Sequence, residues 1–298
     1  MRFIKNDCLL CEKKTQIKNV YPRNLPKNIE EVDYSGRKIP DNFHYKMVRC
    51  LECGLLFANE MYDNETITNL YKDSDFDYSS ELIGLEKTYS DLFKFVNINK
   101  NEKTNFLDIG CANGFLLKQA KDFGFTNVHG SEISLKAIES ADTSVQKNII
   151  QGPFNLKNYS ENFFDVVFFA MIIEHFENPN QFIRDVYKIL KPGGFLIGIT
   201  HDEKHFLSRL FKNKHPIIND EHISVFDKKT LQQIMKKNNF DIIKTDNLKN
   251  YYSFQYWLRM TPIFSFFKKF SLFILKIFRL DKKLIGVKAG NIYIICKK

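Results

Sequence analysis

Phe164-Asp165-Val166-Val167-Phe168-Phe169-Ala170, followed by Met171-Ile172-Ile173-Glu174-His175-Phe176, is the stretch whose reading decides the fold. The first seven residues form a short apolar run of strand length. A carboxylate and an imidazole follow at once, at the carboxyl end of a strand, where an open α/β sheet forms its ligand crevice. Working outward, Pro179–Leu190 reads as a helix with Pro at its start. Leu190-Lys191-Pro192-Gly193-Gly194-Phe195-Leu196-Ile197 reads as a turn into the next strand.

Upstream, Asn105-Phe106-Leu107-Asp108-Ile109-Gly110 is another apolar strand. It runs through Cys111-Ala112-Asn113-Gly114 into a helical stretch, Phe115–Phe123. A strand, a glycine turn and a helix in that order bring the backbone close to a ligand. The spacing is D-x-G-x-A-x-G rather than the G-x-G-x-x-G of dinucleotide sites. Asn127-Val128-His129-Gly130-Ser131 predicts a second strand ending in Glu132, 18 residues beyond Gly114. A carboxylate there can accept hydrogen bonds from both hydroxyls of a ribose, a property that does not by itself choose the cofactor. Asn148-Ile149-Ile150-Gln151 gives a third strand leading to Gly152-Pro153-Phe154.

Together these segments resemble class I S-adenosylmethionine (SAM)-dependent methyltransferases, through the D-x-G-x-A-x-G loop, F-D-x-V with x-L-E-H-V after it, and L-K-P-G-G. The resemblance implies an α/β fold, a Rossmann-like seven-stranded core, with SAM as cofactor. It implies that Gly110 and Gly114 wrap the methionine part, that Asp108 orients the loop and the ligand's amine, and that Glu132 holds the ribose. Ala112 stands where many members carry a middle glycine. Ile133, Phe154 and Ala170 complete the expected cofactor contacts, Phe154 packing on adenine where Pro153 displaces the usual acidic residue. The likeness is greatest to methyltransferases encoded with polysaccharide and sugar-modifying genes.

Methyl transfer from a sulfonium is an in-line displacement in which alignment and exclusion of water matter most. A hydroxyl acceptor also needs a base, for which histidine is suited. His175 is one candidate. His222, in Asn219-Asp220-Glu221-His222-Ile223-Ser224-Val225-Phe226, is the other, with Glu221 orienting it. That segment resembles the H-E-H-x-S-Y-F run of zinc-containing sugar C-methyltransferases, but Asp220 and Val225 depart from it. The shorter E-H-x-x-x-F form, shared with sugar O-methyltransferases, implies O-methylation of a sugar, nucleotide-sugar or related glycan precursor. A sugar C-methyltransferase and a zinc-ribbon RNA methyltransferase are the alternatives. Ala170-Met171-Ile172-Ile173 cannot imitate the Asn-Pro-Pro-Tyr segment of enzymes that methylate exocyclic amines. Tyr71 and Tyr78 could form a lid over the acceptor.

Six cysteines fall into two classes. Cys8-Leu-Leu-Cys11 and Cys50-Leu-Glu-Cys53-Gly54 are two C-x-x-C pairs, 38 residues apart. Each can aim two thiolates at one tetrahedral ion, so a closed, structural zinc site is expected. Cys111 and Cys296 read as small core residues. The division predicted is residues 1–62 as a zinc ribbon, 63–100 as a helical linker or lid, 101–250 as the SAM-binding core, 251–285 as an amphipathic helical insertion and 286–298 as the closing strand.

The chain has no run of about 18 uncharged apolar residues and no apolar segment of signal type at its start, so a cytoplasmic protein is expected. Its net charge of +9 is unevenly placed. From Tyr251 onward there are ten Lys or Arg and one acid, Asp281, leaving residues 1–250 balanced at 34 against 34. A balanced catalytic body argues against a nucleic-acid substrate. Within 262–280, Lys268, Lys269, Lys276 and Arg279 make a narrow basic stripe beside a broad aromatic and aliphatic face. Two readings stay open: peripheral contact with the inner face of an anionic membrane, or burial against the body or in a homodimer.

Overall fold

The structure is a computed structural model that describes residues 3–26, 42–63, 66, 82–98, 102–260 and 265–298. Tyr71, Tyr78 and half of the expected 63–100 linker lie outside the described residues. Five short strands come first: β1 (Phe3–Lys5), β2 (Ile17–Tyr21), β3 (Met47–Cys50), β4 (Leu56–Ala58) and β5 (Glu60–Tyr62). Helix α1 (Leu82–Ser90) precedes the alternating part, β6 (Asn105–Ile109), α2 (Phe115–Phe123), β7 (Asn127–Glu132), α3 (Leu135–Glu139), α4 (Thr143–Gln146) and β8 (Ile149–Gln151). Then come β9 (Phe164–Ala170), α5 (Pro179–Ile189), β10 (Leu190–His201), α6 (Phe206–Phe211), β11 (Ser224–Val225), α7 (Lys228–Lys237) and β12 (Asp241–Asn247). The chain ends with β13 (Asn250–Ser253), α8 (Phe254–Met260), α9 (Ser265–Ile277), β14 (Leu284–Val287) and β15 (Asn291–Lys297).

Seven strands form the central sheet in the order β12-β15-β10-β9-β6-β7-β8, with β15 antiparallel to both neighbours and β6 to β10 parallel. This is the Rossmann-like methyltransferase architecture, and the order turns outward from β6 to either side. Such a reversal leaves a crevice at the carboxyl ends of β6 and β9.

The F-D and L-K-P-G-G residues explain themselves as structure. The Asp165 carboxylate accepts the Asn105 N–H at 2.7 Å and the Lys191 ammonium at 2.8 and 2.9 Å, pinning β6, β9 and the start of β10 together. A Cβ on Gly194 would stand 2.9 Å from the Lys191 carbonyl and 3.1 Å from that of Asp165, so only glycine fits there.

Two predicted boundaries differ from the structure. The front segment does not close on itself at residue 62, because β11 extends its sheet by pairing with β4. Its apolar side chains Leu10, Val48 and Phe57 share one core with Phe169, Phe182 and Phe226. So small a ribbon has too little interior to stand alone. Nor is 251–285 simply helical: β13 and β14 pair as an antiparallel ribbon that frames α8 and α9.

The front segment is also tied down by polar contacts. Arg49 makes a bidentate pair with Glu203 at 2.6 and 2.7 Å. The fully buried Asn180 amide donates to the Leu9 and Leu10 carbonyls at 2.7 and 3.1 Å. Asn180→Leu would strand those acceptors and should cost about 1–3 kcal/mol. Urea unfolding should show a lower midpoint at unchanged slope.

Candidate active site

The glycine loop is built from left-handed residues. Gly110, Ala112 and Gly114 have φ of +74°, +48° and +70°. Ala112 thus adopts, at some steric cost, the conformation for which glycine is the easier residue. Gly110 and Cys111 both donate to the Ser131 carbonyl, at 2.9 and 3.1 Å. Glu132 then closes the loop: one oxygen accepts the Ala112 N–H and the other the Ser134 N–H, each at 2.9 Å. Glu132, rather than the expected Asp108, braces the loop. Ile133 follows directly, and the Gly152 N–H donates to the Glu132 carbonyl at 2.7 Å, bringing the turn before Phe154 alongside.

Burial raises the Glu132 carboxyl, opposed by the Ser134 and Ala112 N–H groups. Asp108 is raised well above the usual range by burial first and the Glu132 charge second. Ala170 ends β9 in register with Ile199, and Met171 turns the chain at φ +54°. The six residues Asp108, Gly110, Ala112, Gly114, Glu132 and Ile133 share the edge formed by β6 and β7, with Ala170 at the end of adjacent β9. Phe154 is engaged in aromatic packing, stacked on Tyr159 at 5.8 Å and edge-on to Phe182 at 5.7 Å.

A second centre lies where β9, β10 and the segment before β11 meet. Glu174 is buried, 1% exposed. One oxygen accepts the Thr200 hydroxyl at 2.9 Å and the other lies 3.7 Å from His201 Nε2. Burial pushes its carboxyl up to about 7. His222 is 7% exposed, and its ring sits 5.0 Å from His175 and 5.1 Å from His201.

Each imidazole is held through Nδ1: His222 by the Ile217 carbonyl at 2.9 Å, His175 by the Glu221 carbonyl at 3.0 Å and His201 by Asn291 Oδ1 at 3.0 Å. Asn291 in turn donates through its amide nitrogen to Asn250, which turns its oxygen toward His201. A carbonyl only accepts, so Nδ1 of His222 and of His201 is the donor at these contacts, while the His175 ring faces both the Glu221 and the Met171 carbonyls. Burial brings both His175 and His201 down to about 4.

The expected pairing of Glu221 with His222 is therefore recast. His222 Nδ1 meets the Ile217 carbonyl, while Glu221 lends its backbone carbonyl to His175. His201 and Asn291 were missed by sequence reasoning; the available signal was their place at the tips of two neighbouring strands, β10 and β15. Ligand-type atoms of Glu174, His175 and His222 fall within 4.8 Å of one another, a nitrogen and oxygen set of the kind that divalent cations accept.

At the front, the Sγ atoms of Cys8, Cys11, Cys50 and Cys53 all lie within 4.8 Å of one another. Cys8–Cys53 is 3.5 Å and Cys11–Cys50 is 3.9 Å. The N–H of Cys11 points at Cys8 Sγ and that of Cys53 at Cys50 Sγ, and Gly54 turns at φ +89°. This centre stands apart from the histidines in role, since its four thiols face one another.

A family model described as a methyltransferase domain matches residues 84–245, more than half of the chain. The chain belongs to that family. The chain is 36% identical over 122 residues to the mitochondrial ubiquinone biosynthesis O-methyltransferase of Dictyostelium discoideum, covering 36% of this chain and 38% of that protein. It is 31% identical over 105 residues to the ubiquinone biosynthesis O-methyltransferase of Caulobacter sp. (strain K31), covering 33% and 41%. The chain thus spans about two-fifths of the length of these relatives.

Among solved structures, a SAM-dependent methyltransferase of Archaeoglobus fulgidus shares the fold with a TM-score of 0.50 at 16% identity, covering 79% of this chain and all of that one. The YcgJ protein of Bacillus subtilis does so with 0.50 at 15%, covering 71% and 98%. These two likenesses show the fold.

The buried acid and histidines give opposite pH dependences. Glu174 rises from an ordinary 4.5 to about 7 in the fold, so its contribution to stability is complete below 4.5 and lost as pH rises through 7. His175 and His201 fall from 6.5 to about 4, so theirs is complete above 6.5 and lost as pH falls through 4. Glu174→Gln removes only the first. Its melting temperature relative to wild type should climb by several degrees between pH 4.5 and 7 and level off above, read by scanning calorimetry.

Proposed function

We propose that this methyltransferase moves the SAM methyl group to a hydroxyl of a small-molecule acceptor, with His222 as general base. The observation that carries the reading is the histidine centre: His222 is buried between His175 and His201, with its ring orientation set by the Ile217 carbonyl at Nδ1. His175 stands beside it and assists in positioning the acceptor.

The residues at the β6–β7 edge fit the cofactor, because a left-handed loop braced by the half-buried Glu132 carboxylate, with the buried Asp108 carboxyl beside it, suits a cationic nucleoside. Glu132 would hold the ribose hydroxyls through its remaining lone pairs, Asp108 the amine, and Gly110, Ala112 and Gly114 the methionine chain. Ile133, Phe154 and Ala170 would flank the adenosine. Bound there, SAM supplies an activated methyl group on a sulfonium. The chain's own work is to align the acceptor oxygen, exclude water and accept the hydroxyl proton at His222.

For the acceptor, the Glu221-His222-Ile223-Ser224-Val225-Phe226 run favours a sugar or nucleotide-sugar hydroxyl. A quinone-precursor hydroxyl is the second reading, favoured by relatives named for O-methylation in ubiquinone biosynthesis. Offering SAM with nucleotide-sugars and with hydroxylated quinone precursors, and reading a gain of one methyl mass, separates them. His222→Ala should bind SAM as wild type does in calorimetry while losing about 10²–10⁴ in kcat on the acceptor that reacts. Full turnover by that variant would overturn the base assignment.

The four thiols fit a structural zinc ion. Their spacing matches the sulfur edges of a tetrahedron with Zn–S of about 2.3 Å, and the N–H···S contacts at Cys8 and Cys50 help carry thiolate charge. Cys8, Cys11, Cys50 and Cys53 would close its shell, leaving it no part in the reaction. Elemental analysis should find one zinc per chain. Cys53→Ser should weaken retention of the ion and lower the melting temperature, and full-length protein that is stable and metal-free would refute the site.

A further inference from the structure

The segment between β13 and β14 takes no part in the site above, and one face of its helix α9 is exposed on the chain. Four side chains of α9, Phe270, Phe273, Ile274 and Ile277, recur at the spacing of one helical face. They are 59%, 62%, 36% and 57% exposed, so this face is not buried against the body. The stripe continues into Phe278 at 66% and Leu280 at 36%. Contiguous apolar surface of this kind marks an interaction site.

The segment is anchored from behind. Tyr252 and Tyr256 stack at 4.1 Å, Trp257 donates its ring N–H to the Ile285 carbonyl at 3.0 Å, and the ribbon strand β13 receives α1 so closely that Gly84 admits no Cβ. Around the stripe stand the exposed Lys276, Arg279, Lys282 and Lys283. Beyond Tyr251 the chain carries ten basic residues against one acid.

We propose that α9 lies flat on a bilayer containing anionic lipid, its aromatic and aliphatic stripe at the acyl boundary and its basic residues among the headgroups. Charge selects this occupant over a second copy: pairing two such faces would bring two segments of +9 together, whereas an anionic surface neutralises them. Thirteen helical residues span about 20 Å against a hydrocarbon core of about 30 Å. Among the described residues no helix is long and apolar enough to cross. The surface is independent of which hydroxyl is methylated.

The test is flotation of the full chain with vesicles of phosphatidylcholine alone and with added phosphatidylglycerol. Wild type should float with the mixed vesicles only, and less so at high salt. Lys276→Ala with Arg279→Ala should lower partitioning on the order of tenfold. Phe273→Gln with Ile277→Gln should abolish it, with unchanged melting temperature and SAM affinity, since both side chains are already exposed. Failure of wild type to float with mixed vesicles would overturn the proposal. So would a dimer in sedimentation that the Phe273→Gln, Ile277→Gln variant dissociates while vesicle binding persists.

Discussion

The Glu132 carboxylate is the part on which the ligand end of this molecule depends. With one oxygen on the Ala112 N–H and the other on the Ser134 N–H, it ties the loop after β6 to the loop after β7. Ionised acceptors make the stronger hydrogen bonds, and this one offsets the cost of a left-handed alanine at Ala112. The arrangement also sets up an electrostatic demand. Two carboxyl groups, the buried Asp108 and the half-buried Glu132, lie near each other and both are raised by desolvation. A cation at the loop would stabilise both in their charged forms. On the proposed reading, the amine and sulfonium of SAM meet that demand, so the pocket selects charge as well as shape.

The histidine centre works by a different constraint, fixed rings. Backbone carbonyls at Ile217 and Glu221 and the Asn291 amide each meet an Nδ1, so three imidazoles converge with their orientation set before any ligand arrives. Burial keeps His175 and His201 neutral at physiological pH and lets Glu174 sit near its own midpoint. A proton placed on His175 or His201 is therefore costly, and the two rings stand beside His222 as neutral neighbours.

The fold was legible because its motifs are structural necessities. Asp165 and Gly194 are visible in the sequence because one joins three strands and the other fills a space with no room for a Cβ. The glycine loop and Glu132 were legible for the same reason. His175 was singled out by its place after a strand and His222 by the run that carries it, but His201 was not. It is 26 residues from His175 and 21 from His222, and only the pairing of β9 with β10 brings it to them. The bracing role passed to Glu132 because hydrogen bonds across loops leave no periodic trace. The ribbon of β13 and β14 was hidden by the helical spacing of the residues it encloses.

The front segment acquires a purpose from the same contacts. The Ala58 N–H at the end of β4 donates to the Ile223 carbonyl at 2.7 Å, and the Ile223 N–H donates to the Glu174 carbonyl at 2.8 Å. Ser224 pairs with Phe57. The backbone flanking His222 is thus held between the ribbon that carries the four cysteines and the turn that carries Glu174 and His175. A centre that must be correct within a fraction of an ångström is better placed by a sheet than by a loop. If the thiols hold zinc as proposed, the ion acts at a distance: it stiffens β3 and β4, these fix β11, and β11 fixes the segment that carries His222.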